Sequence, residues 1–309
     1  MAQMRKRSLP SMTNYEIETY LKRNDVIFIP VGNAEMHGPY PVDVEYVQAE
    51  AWARLFAEKF DGLVLPNLVY FAAGGTAIGR GTVQMGLFDG MKYMYAIARS
   101  LLQQGFRRQV YIPSHRSSTL FMHPVIHQIM DDCKVPLLML EPHHLFAAKG
   151  IMPKRDRLAV PHNFTKFHII SDEKVMGQHA MSLGAYKICG RLDDVPTGSE
   201  ANIYETVAQE GWPSNRFFPD HDIINECSDV HCPAPFFYKE WWDHGGAPLP
   251  ETQAEIEREA EIGEKFMRGL VEEVDFNVHL DVLRRLDKFT QDEVLPLHKD
   301  HLPPDRWSY

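Results

Sequence analysis

Cysteine is scarce in this sequence: Cys133, Cys189, Cys227 and Cys232 are the only four among 309 residues. So few, so scattered, cannot form a disulfide framework in a chain of this length. Long apolar runs are missing as well, none reaching the roughly 18 residues that a membrane-spanning helix needs. The N-terminal stretch, Met1 to Met12, has basic residues but no apolar segment behind them, so it does not read as a secretory signal, and the expected compartment is the cytoplasm. Positive charge is in deficit. The net charge is −10, which argues against nucleic acid or an anionic membrane as a partner, because nothing offsets phosphate repulsion. Three catalytic signatures are absent: the G-x-S-x-G elbow, the P-loop, and a G-x-G-x-x-G segment after a strand. Serine hydrolase, NTPase and dinucleotide-binding readings therefore lack their usual mark.

What is present is alternation. The run from Asp25 to Asn33 is apolar and β-branched and predicts a buried strand. A helix is expected over 46–60, stopped by Asp61-Gly62. Strands over 63–70, 109–114 and 135–141 take turns with helices over 87–104 and 120–132. Strand and helix at this spacing imply right-handed βαβ units. The fold class is α/β, a three-layer α/β/α arrangement with a mostly parallel sheet. A further helix is expected over 172–187. The stretch 191–250 is irregular and aromatic, and 251–309 holds a long helix over 251–273, one more helix and a Pro-rich tail. No linker divides the chain, so residues 1–309 read as a single domain. Cys227, His231 and Cys232 lie near His221, which allows a structural zinc site or simply reduced thiols in a loop; paired C-x-x-C spacing is absent.

The segment carrying chemistry is Val31-Gly-Asn-Ala-Glu35-Met-His37-Gly-Pro-Tyr-Pro-Val-Asp43-Val-Glu45. Glu35 and His37 are two apart, just past a strand, and in extended chain such residues point the same way. In an open parallel sheet, ligands bind beyond the carboxyl ends of the strands. Carboxylate with imidazole suits Zn²⁺, Mn²⁺ or Fe²⁺ better than Ca²⁺ or Mg²⁺. Spacing alone favours a pair that caps the next helix or binds loop amides. His115, at the end of the third strand, changes that balance: two strands of one sheet then deliver histidine to the same edge.

These segments resemble the creatininase (creatinine amidohydrolase) family. Gly32-Asn-Ala-Glu35-Met-His37-Gly38-Pro39 is similar to the family's G-S-T-E-Q-H-G-P, and Pro41 to Glu45 stands for its P-L-G-T-D. Gly81-Thr82-Val83-Gln84-Met85 is similar to a G-T-x-x-L turn, Pro113-Ser114-His115 to N-G-H, and His179-Ala180-Met181 to H-A-G. The resemblance covers most of residues 25–190 and implies a creatininase-like fold.

It further implies that Glu35, His37 and His115 are metal ligands, and that Glu45 replaces a bridging Asp with a side chain one methylene longer. Asp43 is the rival for that role. Two departures stand out: Ser117 and Gly184 fall where the family carries Glu. Glu141 and Glu200 are candidates for the missing carboxylate. His179 is implied as a catalytic acid–base or substrate contact. Arg116 departs from the family, replacing a small residue, and reads as a contact to an anionic or hydroxyl-rich substrate or as a partner of Asp43. One of His143 and His144, after the fourth strand, is expected at the pocket.

The cofactor so implied is a pair of divalent ions, Zn or Mn, with Fe as an alternative. They would activate a water toward hydroxide and polarise a carbonyl. The implied function is a metal-dependent hydrolase opening a small polar cyclic substrate, either a cyclic amide or, as in inositol-degrading relatives, a diketo-inositol (3-dehydro-scyllo-inosose). Alternatives are a creatinine-type amidohydrolase and a non-catalytic binding or scaffolding member. Relatives form closed homo-oligomers, often hexamers. The aromatic stretch Asn215 to Trp242 and the tail are expected to serve such an interface.

Overall fold

A computed structural model describes residues 4–73, 76, 80–115, 118–151, 179–201 and 248–303. In chain order the elements used below are α1 (Asn14–Leu21), β1 (Val26–Val31), α2 (Val44–Lys59), β2 (Leu63–Val64), α3 (Leu87–Gln103), β3 (Arg108–Pro113), α4 (Ser118–Cys133), β4 (Leu138–Met139), α5 (Pro142–Ala148), α6 (Ala180–Cys189), α7 (Gly198–Ala201), α8 (Gln253–Glu273) and α9 (Asn277–Phe289).

The four strands form a parallel sheet in the order β2-β1-β3-β4. The central strand, Val-Ile-Phe-Ile-Pro-Val, is buried at every position, as a strand covered on both faces must be. Its side chains divide by parity. Val26 and Phe28 join one core with Trp52, Phe56, Tyr186, Met267 and Phe276, from α2, α6, α8 and the residue before α9. Ile27, Ile29 and Val31 join the other with Met94, Leu101, Phe121 and Ile129, from α3 and α4. This is the expected α/β/α arrangement.

The outer strands are shorter than the expected 63–70 and 135–141. After Val64 the chain stays beside β1 through Leu65 N–H to Phe28 O, Leu68 N–H to Pro30 O and an isolated bridge from Leu68 to Val31. α1 was not anticipated from periodicity. A capping box starts it: Thr13 Oγ1 accepts from the Glu16 backbone and Glu16 accepts from Thr13 N–H.

Helices α6 and α8 meet at glycines. A Cβ on Gly184 would stand 2.5 Å from Glu264 N, and one on Gly263 would stand 1.7 Å from Ala180 O. Only the absence of side chains lets these backbones approach so closely. Among the described residues no helix is long and apolar enough to cross a membrane.

Candidate metal centre

The segment after β1 doubles back on itself at the carboxyl edge of the sheet. Glu35 N–H donates to Val42 O, and Tyr40 N–H donates to His37 O. The tight turn between His37 and Tyr40 uses Gly38 at φ 56°, a conformation that glycine adopts without strain. Val83 N–H donates to Ala34 O, and Met36 N–H donates to Thr82 Oγ1, fastening the turn to the segment at 82–83. Glu35 and His37 are held by this loop, Glu45 by the first turn of α2, and His115 by the segment just after β3.

These four side chains converge. His115 Nδ1 lies 2.6 Å from Glu45 Oε2 and 3.3 Å from Glu35 Oε1. His37 Nε2 lies 3.7 Å from Glu45 Oε1 and 3.8 Å from Glu35 Oε1. One ligand atom each from Glu35, His37 and Glu45 fits within 4.8 Å. All are shielded from water, the side-chain exposures running from 1% for Glu35 to 11% for His115. Glu35 also accepts a short 2.5 Å bond from Thr76 Oγ1.

Two carboxylates in so dry a place need a cation. The neighbouring imidazole of His115 responds to the same charges. Burial pushes its pKa down, but the charges of Glu45 and Glu35 push it up and win, so it lies well above the ordinary histidine value. The donor set also fits a transition metal. Ligands on one ion with bonds of about 2.1 Å stand roughly 3.4 Å from one another, close to the separations here. Mixed imidazole and carboxylate is the chemistry of Zn²⁺ or Mn²⁺ sites.

His179 lies apart from this cluster. It precedes α6 and is buried, with Tyr40 Oη 2.6 Å from Nδ1 and Pro248 O 2.9 Å from Nε2. A carbonyl only accepts, so Nε2 carries the proton and Nδ1 accepts from the Tyr40 hydroxyl. Burial lowers the pKa of His179, with the Pro248 carbonyl opposing. The ring is neutral at pH 7.

The other expected residues divide clearly. Asp43, the rival ligand, is bound elsewhere: Oδ1 accepts from Tyr186 Oη at 2.5 Å, and Oδ2 lies 2.5 Å from Arg191 Nη2. Its cationic partner among the described residues is Arg191. Glu200 spends its carboxylate on Thr197 N–H and Oγ1. Glu141 is an exposed residue in front of α5. The group able to hold a metal ion among the described residues consists of Glu35, His37 and Glu45, without either of these. Gly184 has no space for one, for the reason given above. His143 packs edge-on to Trp52 with ring centroids 6.0 Å apart, and His144 is exposed. Arg116, Ser117, the Cys227–His231–Cys232 group with His221, and the stretch 215–242 lie outside the described residues.

Sequence reasoning missed Thr76, Tyr40, Tyr186 and Arg191, which act on the site only through contacts distant in sequence. It also missed Asn33, two residues before Glu35 and fully buried, whose amide oxygen and nitrogen both lack a hydrogen-bond partner among the described residues.

The family model described as "Creatininase: Creatinine amidohydrolase" matches residues 10–183. Among solved structures, a putative creatinine amidohydrolase from Bacteroides fragilis NCTC 9343 is 14% identical. The match covers 94% of this chain and 99% of that one, with a TM-score of 0.56. A creatininase variant in a Zn-Zn form is 17% identical over 87% of this chain and 98% of its own, with a TM-score of 0.55. A creatininase with Mn gives 17%, the same coverage and 0.53. At such identities the likeness establishes the fold. None of the curated proteins matches this chain by sequence.

Proposed function

This chain belongs to the creatininase family, and from that premise we propose that it is a metal-dependent hydrolase acting at a carbonyl of a small polar cyclic molecule. One observation carries the reading: two carboxylates and two imidazoles from three separate segments share a buried point at the carboxyl edge of the sheet. Glu35, His37, Glu45 and His115 would hold the metal, a pair of Zn²⁺ or Mn²⁺ ions. When bound, such ions polarise a carbonyl and make water a stronger nucleophile at neutral pH.

The chain's own residues supply position and protons. Thr76 fixes one oxygen of Glu35, leaving the other turned toward His37 and His115. The buried walls exclude bulk water, which strengthens every charge interaction inside. His179 is the proposed acid–base group. Its Nε2 carries the exchangeable proton, and the Tyr40 hydroxyl joins its Nδ1 to the turn that carries His37. Arg116, next in sequence to His115, is proposed to contact substrate. A guanidinium fork suits paired hydroxyls or a carboxylate better than a flat apolar ring. With Ser117 and Gly184 in place of carboxylates, this favours a polyhydroxylated cyclic ketone over creatinine. A closed homo-oligomer and a cytoplasmic location complete the proposal.

The test is metal analysis of the purified chain, followed by a turnover screen of cyclic amides and keto-inositols. Near two ions per chain, lost in His37→Ala together with turnover, is the expected result. Metal bound without turnover on any of these substrates would favour a non-catalytic binding member. Absence of metal from the wild type would end the proposal.

A further inference from the structure

Asp43 immediately precedes α2, where an aspartate ordinarily accepts a hydrogen bond from the first turn of the helix. It makes no such bond. Its carboxylate is only 5% exposed and is committed to two groups from across the fold, the Tyr186 hydroxyl in the last turn of α6 and the guanidinium of Arg191 just beyond it. Arg191 is itself braced, with Nε donating to Asp194 at 2.7 Å and the guanidinium 6.0 Å from the centroid of the Tyr186 ring. Giving up a helix cap loses stability, so the bonds to α6 accomplish something the cap would not.

Glu45, two residues on, reveals what. Successive residues in a helix turn by about 100°, so residues two apart project to nearly opposite sides. Asp43 reaches outward to α6 while Glu45 reaches inward to His115. Fastening the first residue on one side fixes where the third points on the other. A second tie on the same pair of helices, Gln48 Nε2 donating to Ser182 Oγ at 3.0 Å, resists rotation of α2 about that anchor.

We propose that Asp43, Tyr186 and Arg191 form a clamp that aims Glu45 at the metal centre, making all three positioning residues for metal binding. This rests on the reading of Glu45 as a ligand. The clamp also fixes α6, whose opposite end follows directly on His179, so the distance between the metal carboxylate and the proposed acid–base group is set by one junction.

The experiment measures Zn²⁺ affinity of the full-length chain by competition with a chromophoric chelator, alongside the melting temperature of the metal-free chain. Groups that orient a ligand are worth about 10–100-fold in metal affinity. Tyr186→Phe removes one oxygen and no packing. It is expected to weaken Zn²⁺ binding by about 10-fold while the metal-free melting temperature moves little. Asp43→Asn and Arg191→Met are expected to weaken it at least as much, with Arg191→Lys recovering part of the loss. If all of these bind Zn²⁺ as the wild type does, the clamp is overturned and the metal centre stands. If only Asp43→Asn loses the metal, Asp43 is a ligand itself and the clamp is again overturned. A wild type that binds no Zn²⁺ ends both readings. Should Asp43→Asn fail to fold, Tyr186→Phe and the Arg191 pair decide the matter.

Discussion

The Tyr40 hydroxyl stands 2.6 Å from Nδ1 of His179, across 139 residues of chain. That bond joins the turn carrying one proposed ligand to the residue that opens α6. It also selects the tautomer of His179, since the other ring nitrogen faces a carbonyl.

Tyr40→Phe should therefore alter the imidazole itself. A donor to Nδ1 stabilises the neutral ring, so its removal raises the pKa of His179. Leaving Nδ1 unpaired in a buried place costs about 1–3 kcal/mol. An NMR titration of the His179 ring is expected to move upward in the variant, with urea unfolding shifted to lower concentration. A pKa that falls or stays put would contradict the tautomer.

His179 also predicts the acid limb of stability. Its folded pKa is depressed below the unfolded value of about 6.5. The unfolded chain then takes up the proton more readily. The neutral ring's contribution is complete above pH about 6.5 and is lost as pH falls through the folded pKa. Unfolding free energy measured from pH 7.5 to 5 should drop, and His179→Gln should flatten that drop. An unchanged slope in the variant would assign the acid sensitivity to other groups.

The junction of α6 and α8 allows no side chain. Gly263→Ala would put a carbon 1.7 Å from the Ala180 carbonyl, so one helix must move. Such overpacking costs about 1–3 kcal/mol or more, to be read in the midpoint of chemical unfolding. Gly184→Glu, which restores the carboxylate of the family pattern, is expected to lose stability rather than gain a ligand. A stable Gly184→Glu chain with added metal would refute the packing argument.

Cys189 should be chemically silent in the native state. Burial pushes its thiol up to about 12, and Sγ faces the Val47 carbonyl at 3.6 Å. Only the thiolate reacts readily. Iodoacetamide at pH 8, followed by mass mapping, is expected to spare Cys189 in the folded chain and label it in urea.

Much of the fold was legible in the sequence. β1 announced itself as a buried apolar run, and α2, α3, α4 and α8 as periodic stretches whose bounds differ from the expected ones by two residues at most. β2 and β4 came out shorter than their apolar runs, because strand length depends on a pairing neighbour as well as on side chains. α1 shows no strong apolar period, and the capping box of Thr13 and Glu16 is its sequence mark.

The sequence by itself determined which residues could gather at the sheet edge. Glu35, His37, Glu45 and His115 each sit just past a strand or at a helix start, and a parallel sheet brings all such points to one side. Only the tertiary structure decided which acid stays there. Asp43 and Glu45 are rivals by residue type and spacing, yet one is drawn to Tyr186, 143 residues away, and the other to His115. The same holds for Gly184, whose lost carboxylate reads as a gap until the Gly263 backbone occupies its space. Periodicity and strand ends are local properties of the chain. Charge pairing and close packing belong to surfaces that meet only once the layers have stacked.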